Sequence, residues 1–379
     1  MTLIAQTSYR KIPTLIGDIV CSHPKGSNIP VPTSLGDIEM YLKELSLKPT
    51  EYFQKVYVIK PNLAIGMAGW TGEMEDFLKE FRQQCRFHDN MTFETLMGII
   101  DDYDKEKFAN STLIASLFLK TTDGFEEKTV FYPKHAWITG EYGIFDNVIA
   151  CGSGKEDFCF QTTQMGSFEI TGQDDYLSQA IVSNICILAQ FLAAEMSTLH
   201  SLKSYWGTGF EMIYFNGECF QKLDGLTYVI FSSQFDDDGN IELLHPRLVL
   251  HSQYYQDLLL YSSIKIYNFQ EEQDTTYLTF SADRQAHLND LYIVPPLDLK
   301  QEVTEIPADL SFEARKVACG FAIITPDNGV FTPAIFPGND DIVVEYKENA
   351  AVRITIRKEL IAKVSRDFKH AFLSSIKDT

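Results

Sequence analysis

Apolar residues fall in short, strand-length blocks at the start of the chain. Residues 3–8 and 14–20 predict two strands around the polar turn Tyr9-Arg10-Lys11, with Gly17-Asp18 inside the second. The pattern then breaks. Pro24, Gly26, Pro30, Pro32 and Gly36 fill residues 22–37 and predict a loop or insertion, followed by a short helix near 37–47. Two apolar runs, 55–59 and 63–69, flank Pro61-Asn62 and predict a tight hairpin. From Thr71 the period changes to that of a helix, since Met74, Phe77, Leu78, Phe81 and Cys85 share one face. A second helical stripe covers 92–100. Strands return at 111–120, 129–132 and 148–151, the last running into Gly152-Ser153-Gly154.

Residues 174–202 predict a long helix opened by Asp174-Asp175 and carrying Leu177, Ile181, Ile185, Leu188, Leu192 and Met196. Strands at 210–215 and 219–223 turn at Asn216-Gly217, a strong hairpin signal. This order suits an α+β arrangement with helices over largely antiparallel sheets, and not a doubly wound parallel sheet. Beyond 225 the texture becomes mostly strand, with turns at 236–240, 326–329 and 348–349. Residues 342–347 and 351–357 alternate as a hairpin, and 359–376 read as a closing amphipathic helix. The expected organisation is a first domain over 1–224, with an insertion around 22–50, and a mostly β domain over 225–379. Pro295-Pro296 is a candidate for a further break.

A length of 379 residues with 45% hydrophobic and 13% aromatic content supports more than one core. The balance of 32 Lys+Arg against 52 Asp+Glu gives a formal charge of −20, which repels phosphate backbones and anionic lipid surfaces. Neither nucleic acid nor a membrane is therefore an expected partner. No basic stretch followed by an apolar segment opens the chain, and its apolar runs read as short of a membrane span. The seven cysteines contain no CxxC pair and the eight histidines are scattered, so no disulfide framework, metal site or cofactor is expected. A cytoplasmic location follows from the same cysteine usage. Asp236-Asp237-Asp238-Gly239 lacks a closing glutamate at calcium-loop spacing and reads as a β-turn.

The candidate chemistry begins at Met1-Thr2. Loss of Met1 would expose a threonine whose α-amine, with a reference pKa of about 7.7–8.0, can take the proton as the hydroxyl attacks. Asp18, within Gly17-Asp18, lies sixteen residues after Thr2. Lys55 opens a run that passes the Pro61-Asn62 turn and ends at Met67-Ala68-Gly69, fourteen residues on. Gly152-Ser153-Gly154 completes the ordered set. On these residues, positions 2–223 resemble the proteasome β-type family of N-terminal-nucleophile hydrolases.

The resemblance implies a four-layer αββα fold for 1–224, with Thr2 as nucleophile in a threonine-type peptidase or amidohydrolase. It implies Lys55 as the positive charge beside the hydroxyl, Asp18 as its partner and the Gly69 N–H as oxyanion donor. Ser153 would orient the α-amine. Peptide or protein substrates and assembly with copies of itself in stacked rings are implied as well. Two departures stand out. Between Asp18 and Lys55 the chain carries roughly twenty extra residues, which must loop out if strand pairing is to survive. In Ser204-Tyr205-Trp206-Gly207-Thr208-Gly209, Ser204 takes the position of a family aspartate and Gly207 that of a serine, which removes a carboxylate. That loss favours the alternative, a catalytically impaired scaffold that binds or assembles through residues 225–379.

Overall fold

Strand β1 (Leu3–Tyr9) is buried on both faces, which accounts for its nearly continuous apolar start. It pairs antiparallel with β2 (Ile12–Asp18) across the Arg10-Lys11 turn, where both residues take positive φ. The computed structural model describes residues 2–24, 29–32, 46–103, 105–122, 124–165, 176–283, 287–298, 312–324, 330–347 and 351–377. The fold is α+β and built on largely antiparallel sheets.

Short β3 (Val20–His23) and β4 (Lys48–Tyr52) pair with each other, so strand pairing reaches into both ends of the predicted 22–50 loop. Most of the short helix predicted near 37–47 lies outside the described residues. Next come β5 (Val56–Lys60), β6 (Leu63–Ala68), α1 (Thr71–Cys85), α2 (Phe93–Asp102), β7 (Thr112–Thr121), β8 (Gly124–Tyr132), β9 (Ile138–Tyr142) and β10 (Phe145–Gly152). Helices α3 (Lys155–Thr163), α4 (Tyr176–Thr198) and the single turn α5 (His200–Lys203) precede β11 (Phe210–Phe215) and β12 (Phe220–Lys222). Asp174 and Asp175, expected to open the long helix, lie outside the described residues.

These strands form a six-stranded sheet ordered β12-β11-β2-β1-β10-β9 and a four-stranded sheet ordered β5-β6-β7-β8. The sheets face one another through Ile4, Leu15, Val56, Ala64, Ile114 and Ile213. The outer face of the four-stranded sheet, with Tyr57, Leu63, Ile65 and Met67, receives Met74, Phe77, Leu78, Phe81 and Cys85 of α1. That is the helical stripe visible in the sequence. Thr92 caps α2 by accepting from the Thr95 N–H at 3.2 Å. The outer face of the six-stranded sheet, with Leu3, Ala5, Ile16 and Ala150, packs on Phe158 of α3 and on Ile185, Leu188 and Leu192 of α4.

Residues beyond 225 add β13 (Leu226–Phe235), β14 (Ile241–Tyr255), β15 (Leu258–Ile266), β16 (Gln270–Gln273), β17 (Tyr277–Ala282) and β18 (His287–Val294). They continue with β19 (Lys316–Ile324), β20 (Val330–Phe331), β21 (Ala334–Ile335), β22 (Ile342–Lys347), β23 (Ala351–Arg357) and the closing helix α6 (Lys358–Lys377). The sheets segregate. A seven-stranded sheet runs β18-β15-β14-β13-β19-β20, with β21 also on β19, and a four-stranded sheet runs β16-β17-β23-β22. Among the described residues neither uses a strand from before residue 226, and the two pack through Val229, Phe231, Phe280, Phe321 and Ile354.

The cores do not segregate in the same way. Tyr228, Ile230, Leu250 and Ala318 of the seven-stranded sheet join the cluster around α4, so this helix is sandwiched between sheets from both halves of the chain. Its 176–196 stretch is long and apolar enough to span a bilayer by length and composition, and 61% of the most apolar window is buried inside the protein. Its consecutive apolar runs stay short, broken by Ser183, Asn184, Gln190 and Glu195, in keeping with the sequence reading. Pro295 is likewise a crossing point: its carbonyl accepts from the Gln54 N–H at 3.0 Å, Leu297 is buried against α1, and Asp298 lies 3.0 Å from Arg82.

Gly66 measures how closely the first two sheets approach. A Cβ there would stand 2.9 Å from Ile4 Cγ2 and 3.2 Å from Ile114 Cγ2. Gly66→Ala is expected to lower stability by about 1–3 kcal/mol in denaturant titration. Gly72→Ala, at an exposed helical position with nothing within 4 Å, is expected to be neutral or stabilising by up to about 1 kcal/mol. Equal effects at the two sites would contradict the close sheet contact.

Candidate functional site

Hairpin register brings the first pair of site residues together. Ile4 lies opposite Gly17, which sets Asp18 against Leu3 at the end of the ladder. The Leu3 N–H donates to Asp18 Oδ1 at 2.9 Å, and the Thr2 hydroxyl donates to the same oxygen. Asp18 Oδ2 accepts from the Gly207 N–H at 3.0 Å. Gly17 is closely approached, since an added Cβ would meet Ile4 and Val56 at 3.2 Å and both side chains would have to give way.

Lys55 arrives from the facing sheet, just before β5. Its backbone N–H and that of Val56 both donate to Glu211 Oε1, which pins the strand entrance to β11. The side chain is buried, with Nζ donating to Thr2 Oγ1 at 2.6 Å, to Asp18 Oδ1 at 2.7 Å and to the Val20 carbonyl. All three ammonium protons are used. A buried charge persists only when it is paired and hydrogen-bonded in this way.

Gly69 closes the same side of the site. Its φ of +132° favours glycine, and a Cβ would fall 2.5 Å from both the Asn110 carbonyl oxygen and Ser111 Cα. Glu73 fixes the loop by accepting from the Asn110 N–H at 3.0 Å and Ser111 Oγ at 2.9 Å, while Ser111 Oγ accepts from the Trp70 N–H at 3.2 Å. Ser153 follows β10, whose Gly152 pairs with Leu3. Its hydroxyl donates to the Thr2 carbonyl at 3.4 Å, a weak contact, where the sequence reading had it on the α-amine.

Thr2, Lys55 and Gly69 line one cleft of about 850 Å³, together with Cys21, Glu51 and Trp70. The five sequence-selected residues therefore meet in one region, although Thr2 itself is only 3% exposed. Among the described residues, no group of His, Cys, Asp and Glu is arranged to hold a metal, and all seven cysteines are free.

Ser204 takes no part in this network. It ends α5, with its N–H on the His200 and Ser201 carbonyls. A carboxylate nevertheless stands beside the turn: Glu195 of α4, which accepts from the Thr208 N–H at 3.0 Å and from the Ser201 hydroxyl. Asp18 and Glu195 thus hold adjacent N–H groups of one turn, at Gly207 and Thr208. A Cβ on Gly207, at φ +102°, would collide with Glu195 Oε2 at 2.3 Å. Sequence reasoning missed Glu195, yet a signal existed, because it is the single charged residue in the whole of α4. It touches no reacting group and acts by positioning the turn.

Burial pushes the Glu195 carboxyl up to about 7, with the Asp18 charge adding to the rise and the Ser201 and Thr208 hydrogen bonds opposing it. No family model matches this chain, and no curated protein is significantly similar to it.

The raised value makes a pH-dependent contribution to stability. The fold holds this proton more tightly than the unfolded chain does, whose carboxyl titrates near 4.5. The stabilisation is complete below that pH and is lost as pH rises through about 7. Relative to Glu195→Gln, the wild type is expected to lose up to about 3 kcal/mol between pH 4 and 8. Glu127 is also raised to about 7 by burial, but it is common to both proteins and cancels in the difference. A stability difference that is flat with pH would contradict this assignment.

Proposed function

We propose that residues 2–223 form a four-layer αββα N-terminal-nucleophile domain of proteasome β type, and that the chain is a threonine-type peptidase or amidohydrolase. The observation that carries this reading is the Lys55 ammonium, buried and donating to Thr2 Oγ1 at 2.6 Å while paired with Asp18. The packing order of α1 and α2, two facing sheets, and α3 with α4 supports the layer assignment.

Cleavage of the Met1–Thr2 bond frees the α-amine. Thr2 Oγ1 then attacks the scissile carbonyl carbon as its proton passes to that amine, and Lys55 stabilises the charge developing on the attacking oxygen. The carbonyl oxygen, now anionic, is received by the Gly69 N–H. Collapse breaks the C–N bond, the departing amine takes the proton, and water hydrolyses the Thr2 ester. Such a site needs no cofactor. Glu195 brings a buried carboxyl from α4 to the turn after Ser204, where it holds the Thr208 N–H and positions the turn without contacting Thr2.

Family membership would also bring assembly with copies of itself in rings. Since α4 is sandwiched between sheets, those contacts fall to other surfaces, including Phe87 after α1 (81% exposed) and Phe160 of α3 (66% exposed). Native mass spectrometry is expected to give a homo-oligomer, and a monomer at micromolar concentration would remove the ring from the proposal.

The direct test uses a chain prepared with Thr2 as its first residue and a peptide substrate carrying a fluorogenic amine. Turnover is expected, with none in Thr2→Ala and a fall of about 100-fold or more in kcat/KM for Asp18→Asn, which disturbs the Lys55 pairing while keeping the side-chain size. Turnover that survives Thr2→Ala would defeat the proposal. A folded Thr2-first chain that hydrolyses nothing would leave the scaffold alternative.

A further inference from the structure

The hairpin of β3 and β4, which borders the inserted segment, forms one wall of the cleft. Val20 is tied to the reactive cluster by its carbonyl on Lys55 Nζ, and the Ile19 carbonyl accepts from the Phe53 N–H at 3.1 Å. Cys21 and Glu51 are register partners across the two strands, so their side chains share a face, and both line the cleft with Thr2. The wall is thus fixed at its base to the nucleophile.

Charge along this wall is unequal. Lys55 is neutralised by Asp18 at 2.7 Å. Burial raises the Cys21 thiol and favours its neutral form. His23 also lines the cleft, and Glu51 is its single described carboxylate, exposed and without an ion-pair partner among the described residues. Exposed Trp70 stands on the same cleft and offers an aromatic face that suits a cation. The chain's −20 charge favours approach of cationic molecules as well.

We infer that Glu51 is a specificity-determining residue that selects peptides with a basic side chain, Lys or Arg, on the residue donating the scissile carbonyl. This rests on the hydrolase reading of Thr2. The cleft volume of about 850 Å³ accommodates a long basic side chain beside the Thr2 hydroxyl. The inserted segment then has a catalytic consequence, since its bordering strands carry the selecting carboxylate.

The test compares kcat/KM of the Thr2-first chain for three fluorogenic peptides that differ only in Arg, Leu or Glu at that residue, with Thr2→Ala as the blank. The Arg substrate is expected to exceed Leu by about tenfold and Glu by more. Glu51→Gln is expected to bring the Arg-to-Leu ratio close to one, and Glu51→Lys to reverse the order of Arg and Glu. Thr2-dependent turnover with equal rates for all three peptides, or an Arg preference that survives Glu51→Gln, would overturn the inference while leaving the hydrolase reading intact. No Thr2-dependent turnover of any of the three would overturn that reading and the inference with it.

Discussion

The buried ion pair between Lys55 and Asp18 is the constraint on which the site depends. Asp18 belongs to one sheet and Lys55 enters from the facing sheet, so their 2.7 Å contact spans the interface where Ile4, Val56 and Gly66 pack. Desolvating two charges is expensive, and such pairs rarely raise stability above that of a well-packed apolar contact. The compensation here is complete hydrogen bonding: three acceptors for Lys55, and backbone or side-chain donors on both Asp18 oxygens. The Thr2 hydroxyl is one member of that set, which holds its oxygen against a cation.

A second carboxylate extends the constraint into the helical layer. Glu195 and Asp18 hold neighbouring N–H groups of the turn after α5, so α4, the six-stranded sheet and the Lys55 strand entrance meet at one network. The other face of α4 is buried by the seven-stranded sheet, and the Asp257 and Val294 carbonyls accept from Gln54 beside Lys55, so the region beyond 225 packs against the supports of the site at two places. The polar cluster and the continuous α4 core are parts of one packing arrangement. That coupling gives the C-terminal sheets a structural role even though, among the described residues, they line none of the cleft.

Much of this was legible in sequence where local rules suffice. The Arg10-Lys11 turn sets the β1–β2 register, and that register alone carries Asp18 to Leu3 and Thr2. The stripe from Met74 to Cys85 gave α1 and its buried face, and the closing hairpin and helix fall within a residue or two of their predicted bounds. Long-range pairing was not legible. Pro49 weakens the strand pattern of β4, whose partner β3 lies across the insertion, and β13 pairs parallel with β19 some ninety positions away, with no local signal for the match. Glu195 was overlooked for a related reason: comparing aligned positions directs attention to Ser204, whereas the carboxylate reaches the same turn from the preceding helix. Pro295-Pro296, read as a break, is where the chain crosses to pack on α1.

The central claim is that the oxygen between Lys55 and Asp18 is a nucleophile served by the Gly69 N–H. The most direct measurement is a crystal structure of the Thr2-first chain after reaction with a peptide epoxyketone, a reagent that needs a hydroxyl and an adjacent free amine on one residue. The account predicts continuous density from both Thr2 Oγ1 and the Thr2 α-amine to the reagent, with the peptide lying along the β3–β4 wall and the Gly69 loop. Unmodified Thr2 at saturating reagent, or an adduct on Cys21 in its place, would contradict it.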